Sequence, residues 1–232
     1  MLTTAPYPTV AASWPATGRH ILATFDDRHI IVYQAFNQAI ADYAVKHQTF
    51  LGCPVYNPNR MTWVKTNFLW MQYRCGWGAK DTNQERVLAL TVTRDAFDGW
   101  LRQSVASSSD GPAAARDAHR EAIAASDVRL QWDPDHDPAG HPVPGRRAVQ
   151  LGLRGGALAA FLAPDSRQLV RIDDVTDALV APQRAIAAAA AQWALLNVPI
   201  ERCYVPADHT VRTRIVLDDP PVSVTSGAAA PI

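Results

Sequence analysis

The sequence predicts an α+β fold: a single domain built on a mixed or split antiparallel sheet with flanking helices. At 232 residues with 48% hydrophobic residues, the chain is long enough for one full domain with a sizeable core. The candidate strands cluster along the chain and do not alternate strictly with helices. That order favours α+β over a doubly wound parallel sheet.

The domain is expected to span residues 19–219. Residues 1–18 are rich in proline and end in a glycine, which predicts an irregular N-terminal arm. The low-complexity stretch ASSSDGPAAARDA at 106–118 predicts a mobile insertion on the surface. The tail 220–232, made largely of Pro, Ser and Ala, predicts disorder.

Patterning is clearest in the first half of the chain. HILATF (20–25) and IIVYQAF (30–36) are rich in β-branched and aromatic residues and flank the turn DDR, which is typical of a hairpin. Asn37 is a favoured N-cap, and apolar residues recur after it at helical spacing as far as His47. VLALTVT (87–93) is almost wholly apolar and predicts a buried strand.

The second half of the chain carries shorter signals, taken from local periodicity and from proline and glycine positions. They predict, in order, a helix over 96–105 capped by Asp95, a helix over 119–126, a strand over 128–132, a loop over 133–145, a strand over 147–153, a helix over 155–161, a strand over 168–172, an Ala-rich helix over 182–196 and a strand over 212–217.

The segment RMTWVKTNFLWMQYRCGWGAK, residues 60–80, is predicted to be a helix that ends at its glycines. The spacing i, i+4, i+7, i+11 and i+14 then places five side chains on one face: Trp63, Asn67, Trp70, Arg74 and Trp77. Tryptophan stacks on flat rings, and a guanidinium binds phosphate or carboxylate in a bidentate fork. This face therefore suits a nucleotide-like ligand.

Charged residues around this segment extend the hypothesis. Arg60, Lys65 and Lys80 fit a phosphate-binding collar, and Glu85 is the candidate general base. Each has a structural alternative, in which the tryptophans are core, the cations form a solvated rim and Glu85 makes a salt bridge at a strand edge. The sequence contains neither a full phosphate-loop spacing nor a GxGxxG after a strand.

Composition narrows the classes of function. Lys+Arg and Asp+Glu are both 22, so the chain lacks an overall basic field for nucleic acid or for an anionic membrane. Its three cysteines are widely spaced without CxxC, which predicts a cytoplasmic protein without a disulfide framework or zinc cage. We expect no signal peptide and no membrane span. We also expect no metal, because the acidic loop at 133–145 departs from the spacing of a calcium loop.

Five stretches together resemble one known family. They are IIVYQAFNQAIADYAV, RMTWVKTNFLWMQYRCGWGAK, NQERVLALTVTRDAF, VRLQWDPDHD and RAVQLGLRG, and they cover most of residues 20–180. They are similar to the family called domain of unknown function 4291, for which the pattern RMTW…FLWM…R-x-GW is highly specific.

A second resemblance concerns the order of elements. A strand with a polar residue near its end precedes an amphipathic helix, and a buried strand and the Gln-bearing RAVQLGL come later. This order is similar to that of ADP-ribosyltransferase-like domains, in which a split sheet clamps NAD and a late-strand Glu or Gln helps to orient the nicotinamide ribose. The resemblance implies that NAD is the donor, that Gln34 lies where the first strand meets it, and that Gln150 is the late-strand residue.

Three hypotheses stay open. The first is a nucleotide-dependent transferase, with Arg74 and Lys65 on phosphates, Trp63 or Trp70 on a ring, and Gln34 and Gln150 on the ribose. The second is a non-catalytic module that binds RNA, single-stranded DNA or a nucleotide by stacking. The third is a structural or partner-binding protein in which the Trp-rich helix is core. The sequence predicts no oligomeric state.

Overall fold

The computed structural model describes residues 2–108 and 113–220, without the side chains of 113–115. The strands are, in chain order, β1 (Thr4–Pro6), β2 (Gly18–Arg19), β3 (Ile21–Ala23), β4 (His29–Phe36), β5 (Thr62–Lys65), β6 (Arg86–Thr93), β7 (Val105–Ala106), β8 (Val128–His136), β9 (Pro142–Leu153), β10 (Leu169–Asp174), β11 (Asn197–Pro199) and β12 (Arg202–Tyr204).

The α-helices are α1 (Tyr7–Ala11), α2 (Gln38–His47), α3 (Phe68–Cys75), α4 (Arg94–Gln103), α5 (Ala113–Ala125), α6 (Gly155–Leu162), α7 (Ala181–Ala187) and α8 (His209–Arg214). Shorter helical turns lie at Thr82–Gln84, Pro164–Ser166, Thr176–Val180 and Ala190–Leu195. None of these described helices is long and apolar enough to cross a membrane.

One mixed sheet organises the molecule. Its strand order is β10-β6-β4-β5-β9-β8-β7, with β2 paired beside β9. Most neighbours are antiparallel, whereas β2 with β9 and β7 with β8 are parallel. Two small pairs, β1 with β11 and β3 with β12, lie outside this sheet. The predicted α+β class with a mixed sheet is confirmed.

Both faces of the sheet are covered by helices. In β4, Ile30 and Val32 join one buried cluster and Ile31 and Tyr33 join the other, as the period of two in a strand requires. The first cluster packs against α2, α4 and α6, and the second packs against α1, α3 and α7. The strands between these layers are therefore apolar on both faces, which explains the almost continuous apolar run of β6.

The sheet is split between β4 and β5. β4 pairs with β6 along its whole length, but it pairs with β5 only through Tyr33 and Lys65. Beyond that pair, the last residues of β4 (34–36) lie beside the first residues of β5 (62–64) without a regular ladder. The two halves of the sheet therefore separate at this point and leave an opening.

The prediction of one helix over residues 60–80 is wrong. The first part of this segment forms β5, and α3 begins only at Phe68. Asn67 is the N-cap of α3, since its Oδ1 accepts a hydrogen bond of 2.6 Å from the backbone N–H of Trp70. Pairing of β5 with β9 and burial of Val64 in the core outweigh the helical spacing.

The predicted end of this helix is correct. Gly76 adopts φ 59° as the left-handed C-cap of α3, a conformation that glycine reaches without steric cost. Trp77 follows the cap and Trp63 precedes the helix on β5. The five-residue stripe that the spacing predicted is therefore not a single helical face.

The N-terminal arm and the acidic loop are more ordered than predicted. Within residues 1–18, β1 pairs with β11, and Val10 of α1 enters the second core cluster. Within 133–145, β8 continues as far as His136 and β9 begins at Pro142, so a hairpin replaces the predicted loop. A buried ion pair of Asp135 with Arg146, at 2.5 Å, stabilises this hairpin, and the sequence pattern gave no sign of it.

Three further predictions need correction. The strand expected at 212–217 is α8, which Asp208 caps by accepting from a backbone N–H. The Ala-rich helix expected over 182–196 ends early, and a 3₁₀ turn follows α7. Part of the insertion 106–118 is α5, while 109–112 and the tail after Pro220 lie outside the described residues.

A carboxyl group lies buried at the start of α3. Glu201 is 1% exposed, and its Oε1 accepts a hydrogen bond of 2.7 Å from the backbone N–H of Phe68. Its Oε2 has no hydrogen-bond partner among the residues that the structure describes. Burial raises the pKa of Glu201 well above its ordinary value, so the fold favours the protonated acid.

This burial predicts a dependence of stability on pH. The folded protein keeps a proton on Glu201 at pH values where the unfolded chain has released it, so the contribution of Glu201 to the free energy of unfolding falls as pH rises above about 4.5. The loss is up to about 1.4 kcal/mol per pH unit. Glu201→Gln, which mimics the protonated acid, removes this loss, and urea unfolding at pH 5, 6.5 and 8 measures it.

The matched control is Glu121→Gln, which changes an exposed carboxylate on α5. It keeps the pH dependence of the unmodified protein. If Glu201→Gln and Glu121→Gln lose stability equally between pH 5 and pH 8, Glu201 is not the group responsible.

Candidate functional site

A crevice of about 330 Å³ opens where β4 and β5 separate. Its polar lining comes from the two strands beside the split, from α3, from the turn Thr82–Gln84 and from β9: Gln34, Thr62, Lys65, Arg74, Gln84 and Gln150. A second cavity of about 510 Å³ adjoins it and shares four lining residues: Ala35, Phe36, Met61 and Thr62. The split in the sheet therefore produces a polar concave surface beside the Trp-rich segment.

Gln34 spans the split with its side-chain amide. Its Nε2 donates to the carbonyl oxygen of Trp63 at 3.1 Å and to Oγ1 of Thr62 at 2.5 Å. A carbonyl oxygen only accepts, so the nitrogen of the amide must face β5. The Oε1 of Gln34 is buried without a partner among the described residues, and Gln34 lines the crevice.

Gln150 is oriented in the same way by a carboxylate. It lies opposite Lys65 in the pairing of β5 with β9, and its Nε2 donates to Oδ2 of Asp133 at 2.7 Å. Because a carboxylate only accepts, the Oε1 of Gln150 is turned away from Asp133. Asp133 also accepts from Nε2 of Gln131 at 3.0 Å, so one carboxylate holds two amides on neighbouring strands.

Asp133 is a site residue that sequence reasoning missed. The sequence predicts a loop at this position, whereas Asp133 belongs to β8 and accepts a hydrogen bond from Gln150. Burial raises its pKa, while the hydrogen bonds from Gln150 and Gln131 oppose that rise. The available signal was the Q-x-D spacing of Gln131 and Asp133, which places both on one face once β8 is recognised as a strand.

Lys65 is the most unusual group at the crevice. It is 6% exposed, and its Nζ lies 5.0 Å from the centroid of the Trp70 ring. Among the described residues it forms no salt bridge. Burial, followed by repulsion from Arg74, lowers the pKa of Lys65 to about 7, and attraction to Asp133 opposes that shift. Its charge therefore changes near neutral pH, where a lysine is normally fully protonated.

Arg74 stands at the opening of the crevice. It is exposed, and its Nη1 donates to Oε1 of Gln84 at 3.2 Å, not to a carboxylate. The charge of Arg74 is not neutralised by an acid of the described chain. It is thus able to pair with an anionic group that enters the crevice.

Trp63 forms an apolar wall because a glycine lies opposite. Gly152 is its register partner on β9, and a Cβ there would lie 3.0 Å from the indole of Trp63 and 2.6 Å from Sδ of Met61. Both side chains occupy the space that this glycine leaves. Trp63 is partly exposed, so its ring is accessible to a planar ligand.

The structure does not bring the other two tryptophans to the crevice wall. Trp70 is 4% exposed and lies beside the ammonium group of Lys65. Trp77 is 8% exposed, and its Nε1 donates to the carbonyl oxygen of Pro138 at 3.1 Å. Trp63 is therefore the tryptophan of this segment that can stack on a ligand.

The remaining candidates lie at the margin. Arg60 is exposed and lines the adjoining cavity, whereas Lys80 is exposed and lines neither cavity. Glu85 also lines neither, and its Oε1 accepts a hydrogen bond of 3.1 Å from the backbone N–H of Gln38, at the start of α2. In this geometry the negative charge of Glu85 stabilises the N-terminus of α2.

A family model matches this chain over residues 20–204, and its description is domain of unknown function (DUF4291). The match covers well over half of the chain, which therefore belongs to this family. The matched range runs from β3 to β12 and includes every residue of the crevice. A search of curated proteins found no match.

The buried amine of Lys65 predicts that Lys65→Met stabilises the protein. At pH 7 the variant should gain about 1–3 kcal/mol, because methionine fills the site without a charge to desolvate. Lys65 should contribute a gain in stability to the unmodified protein as pH rises from about 7 toward 10.5, opposite in sign to the contribution of Glu201, since the unfolded lysine then holds a proton that the folded one has lost. Lys65→Met should lack this gain in urea unfolding at pH 7, 8 and 9.

Lys46→Met is the control, because Lys46 is an exposed lysine on α2. Its stability should follow that of the unmodified protein at each pH. Parallel curves for Lys65→Met and Lys46→Met would contradict the assignment of a destabilised amine to Lys65.

Proposed function

We propose that this member of the DUF4291 family is a nucleotide-dependent transferase, resembling ADP-ribosyltransferases, with NAD as the donor bound in the crevice. One observation carries the proposal. The split between β4 and β5 gathers two oriented amides, a buried amine and an exposed guanidinium around one opening: Gln34, Gln150, Lys65 and Arg74.

The chemistry of the crevice matches the parts of a dinucleotide. Lys65 and Arg74 supply positive charge for a pyrophosphate, and Trp63 supplies a flat surface for a base. The Oε1 atoms of Gln34 and Gln150 are acceptors for ribose hydroxyl groups. The crevice and its neighbour, at about 330 and 510 Å³, have the size of small-molecule sites.

Transfer from NAD breaks the bond between ribose C1′ and the nicotinamide nitrogen, and nicotinamide leaves as a neutral molecule with the electron pair. Positive charge then develops on the ribose ring, and a nearby oxygen with partial negative charge stabilises it. Gln150 is suited to this role. Its Nε2 donates to the carboxylate of Asp133, which polarises the amide and makes Oε1 a stronger acceptor.

The alternative is a module that binds a nucleotide or single-stranded nucleic acid without catalysis. It is favoured by the position of Glu85, the candidate general base, whose carboxylate is occupied at the start of α2. Among the described residues no carboxylate lines the crevice. Release of nicotinamide during incubation with NAD separates the transferase from this alternative.

We also propose that the protein acts in the cytoplasm on a small nucleotide-like molecule and does not act at a membrane. Its cysteines, Cys53, Cys75 and Cys203, are free in the described chain, and the first two are buried. Free thiols fit a reducing compartment.

Binding of NAD should stabilise the protein and should weaken as pH rises. At about 100 times its Kd, NAD should add roughly 2.7 kcal/mol to the free energy of unfolding. Affinity should be higher at pH 6 than at pH 8, because Lys65, with a pKa of about 7, loses its charge in between. Thermal shift and calorimetry measure both effects, with ATP and GTP tested alongside.

Variants at Lys65, Lys46 and Gln150 separate the binding of NAD from the release of nicotinamide. Lys65→Met should bind NAD more weakly and without the pH dependence, whereas Lys46→Met should bind normally. Gln150→Leu should retain most binding but abolish nicotinamide release, which is followed by chromatography. The proposal fails if NAD, ATP and GTP all leave the unfolding temperature unchanged. Binding without nicotinamide release would support the non-catalytic alternative.

A further inference from the structure

A third cavity, distinct from the crevice and the cavity that adjoins it, lies at the far end of the sheet, away from the split. Its volume is about 520 Å³, and β7, β8, β9 and α8 contribute to its walls. Three arginines line it: Arg19, Arg147 and Arg214. We refer to it as the arginine groove. In a chain with no net charge, three cations around one cavity form a local positive patch.

Two of these arginines are forced together by strand pairing. Arg19 on β2 and Arg147 on β9 are register partners in a parallel pair. Like charges directly across two strands destabilise a sheet unless a counter-charge is present. The exposed carboxylate of Asp218 accepts a hydrogen bond of 2.8 Å from the backbone N–H of Arg19, but it forms no salt bridge with either guanidinium group within the described chain.

The third arginine of the groove lies on a helix, whereas the first two lie on paired strands. Arg214 on α8 is exposed, and its Nη2 donates to the carbonyl oxygen of Leu101, which leaves its charge uncompensated. Within residues 2–108 and 113–220, none of the three guanidinium groups forms a salt bridge. Three arginines that line one cavity without a salt bridge are able to pair with a bound anion.

The rest of the groove is suited to a flat ring. Trp132 is partly buried on the wall, and its Nε1 is held by the carbonyl oxygen of Ile215 at 2.9 Å, which fixes the plane of the indole. His119 also lines the groove, and its enclosed Nε2 has no hydrogen-bond partner among the described residues. An aromatic wall beside cations is typical of sites for nucleotides.

We propose that the arginine groove binds the phosphate of a nucleotide, with the base stacked against Trp132. The phosphate lies between Arg19 and Arg147 and relieves their mutual repulsion, while Arg214 contacts the same or the next phosphate. The ligand is either a free nucleotide or one residue of a single strand, which share this chemistry. The site is separate from the crevice, and its existence does not depend on the proposed use of NAD.

The test is fluorescence anisotropy of a labelled eight-nucleotide single-stranded RNA with the full chain, at salt concentrations from 50 to 200 mM. Arg147→Ala should weaken binding about tenfold, the usual value of a charged hydrogen bond. It should also reduce the dependence of log affinity on log salt by about 0.7, the value of one phosphate contact in a single strand.

Competition identifies the source of the ligand. Displacement of the RNA by AMP at similar concentrations supports a free nucleotide, whereas much tighter binding of the RNA supports a strand. Trp132→Leu should weaken AMP and RNA about tenfold, the loss of one stacked base. The same variant should leave competition by inorganic phosphate unchanged, because phosphate has no base.

The matched control is Arg28→Ala, which removes an exposed arginine in the turn between β3 and β4 and should bind RNA normally. Unfolding temperatures of all variants verify that they are folded. The proposal is overturned if RNA, AMP and phosphate all fail to bind at about 1 mM. It is equally overturned if Arg147→Ala binds as tightly as Arg28→Ala, or if only Lys65→Met loses affinity, which would assign the binding to the crevice.

Discussion

A single pair of residues joins the two halves of the main sheet. Tyr33 and Lys65 are the only register partners of β4 and β5 within the described chain, although each strand is fully paired on its other side. Beyond this pair the amide of Gln34 takes the place of ladder hydrogen bonds by donating to β5. The crevice and the direction of the Gln34 amide oxygen follow from this incomplete pairing. A fully paired β4 and β5 would close the opening.

Lys65 is held at this junction by register. A shift of one residue would move Lys65 into the apolar cluster and Val64 out of it, so the buried core fixes which face the lysine occupies. Its partners on the next two strands, Gln150 and Gln131, continue the same polar row. Apolar residues pack on the opposite face of these three strands. In this half of the sheet, one face therefore belongs to the core and the other carries the polar row. A buried, unpaired amine destabilises the fold, and such groups are concentrated at functional sites.

The sequence predicted those features that depend on local pattern. The helix α2 with its Asn37 cap and the buried strand β6 have strong periodicity and lie within a residue or so of their expected positions. The Trp-rich segment was misassigned because its apolar residues fit a helical period, whereas pairing of β5 with a strand about 85 residues later determines its structure. Gln34, Lys65 and Gln150 line one crevice; the order of elements pointed to the two glutamines, and the charge pattern of the Trp-rich segment pointed to the lysine. Asp133 and the low pKa of Lys65 arise from tertiary contacts that no local pattern contains.

The two openings of the sheet share one carboxylate. Gln150 lines the crevice and Gln131 lines the arginine groove, and both donate to Asp133. The hydrogen bond from Gln150 lowers the pKa of Asp133, and the charge of Asp133 raises the pKa of Lys65. Asp133 therefore orients one amide at each opening, and a single row of polar side chains runs across β5, β9 and β8 from Lys65 to Gln131.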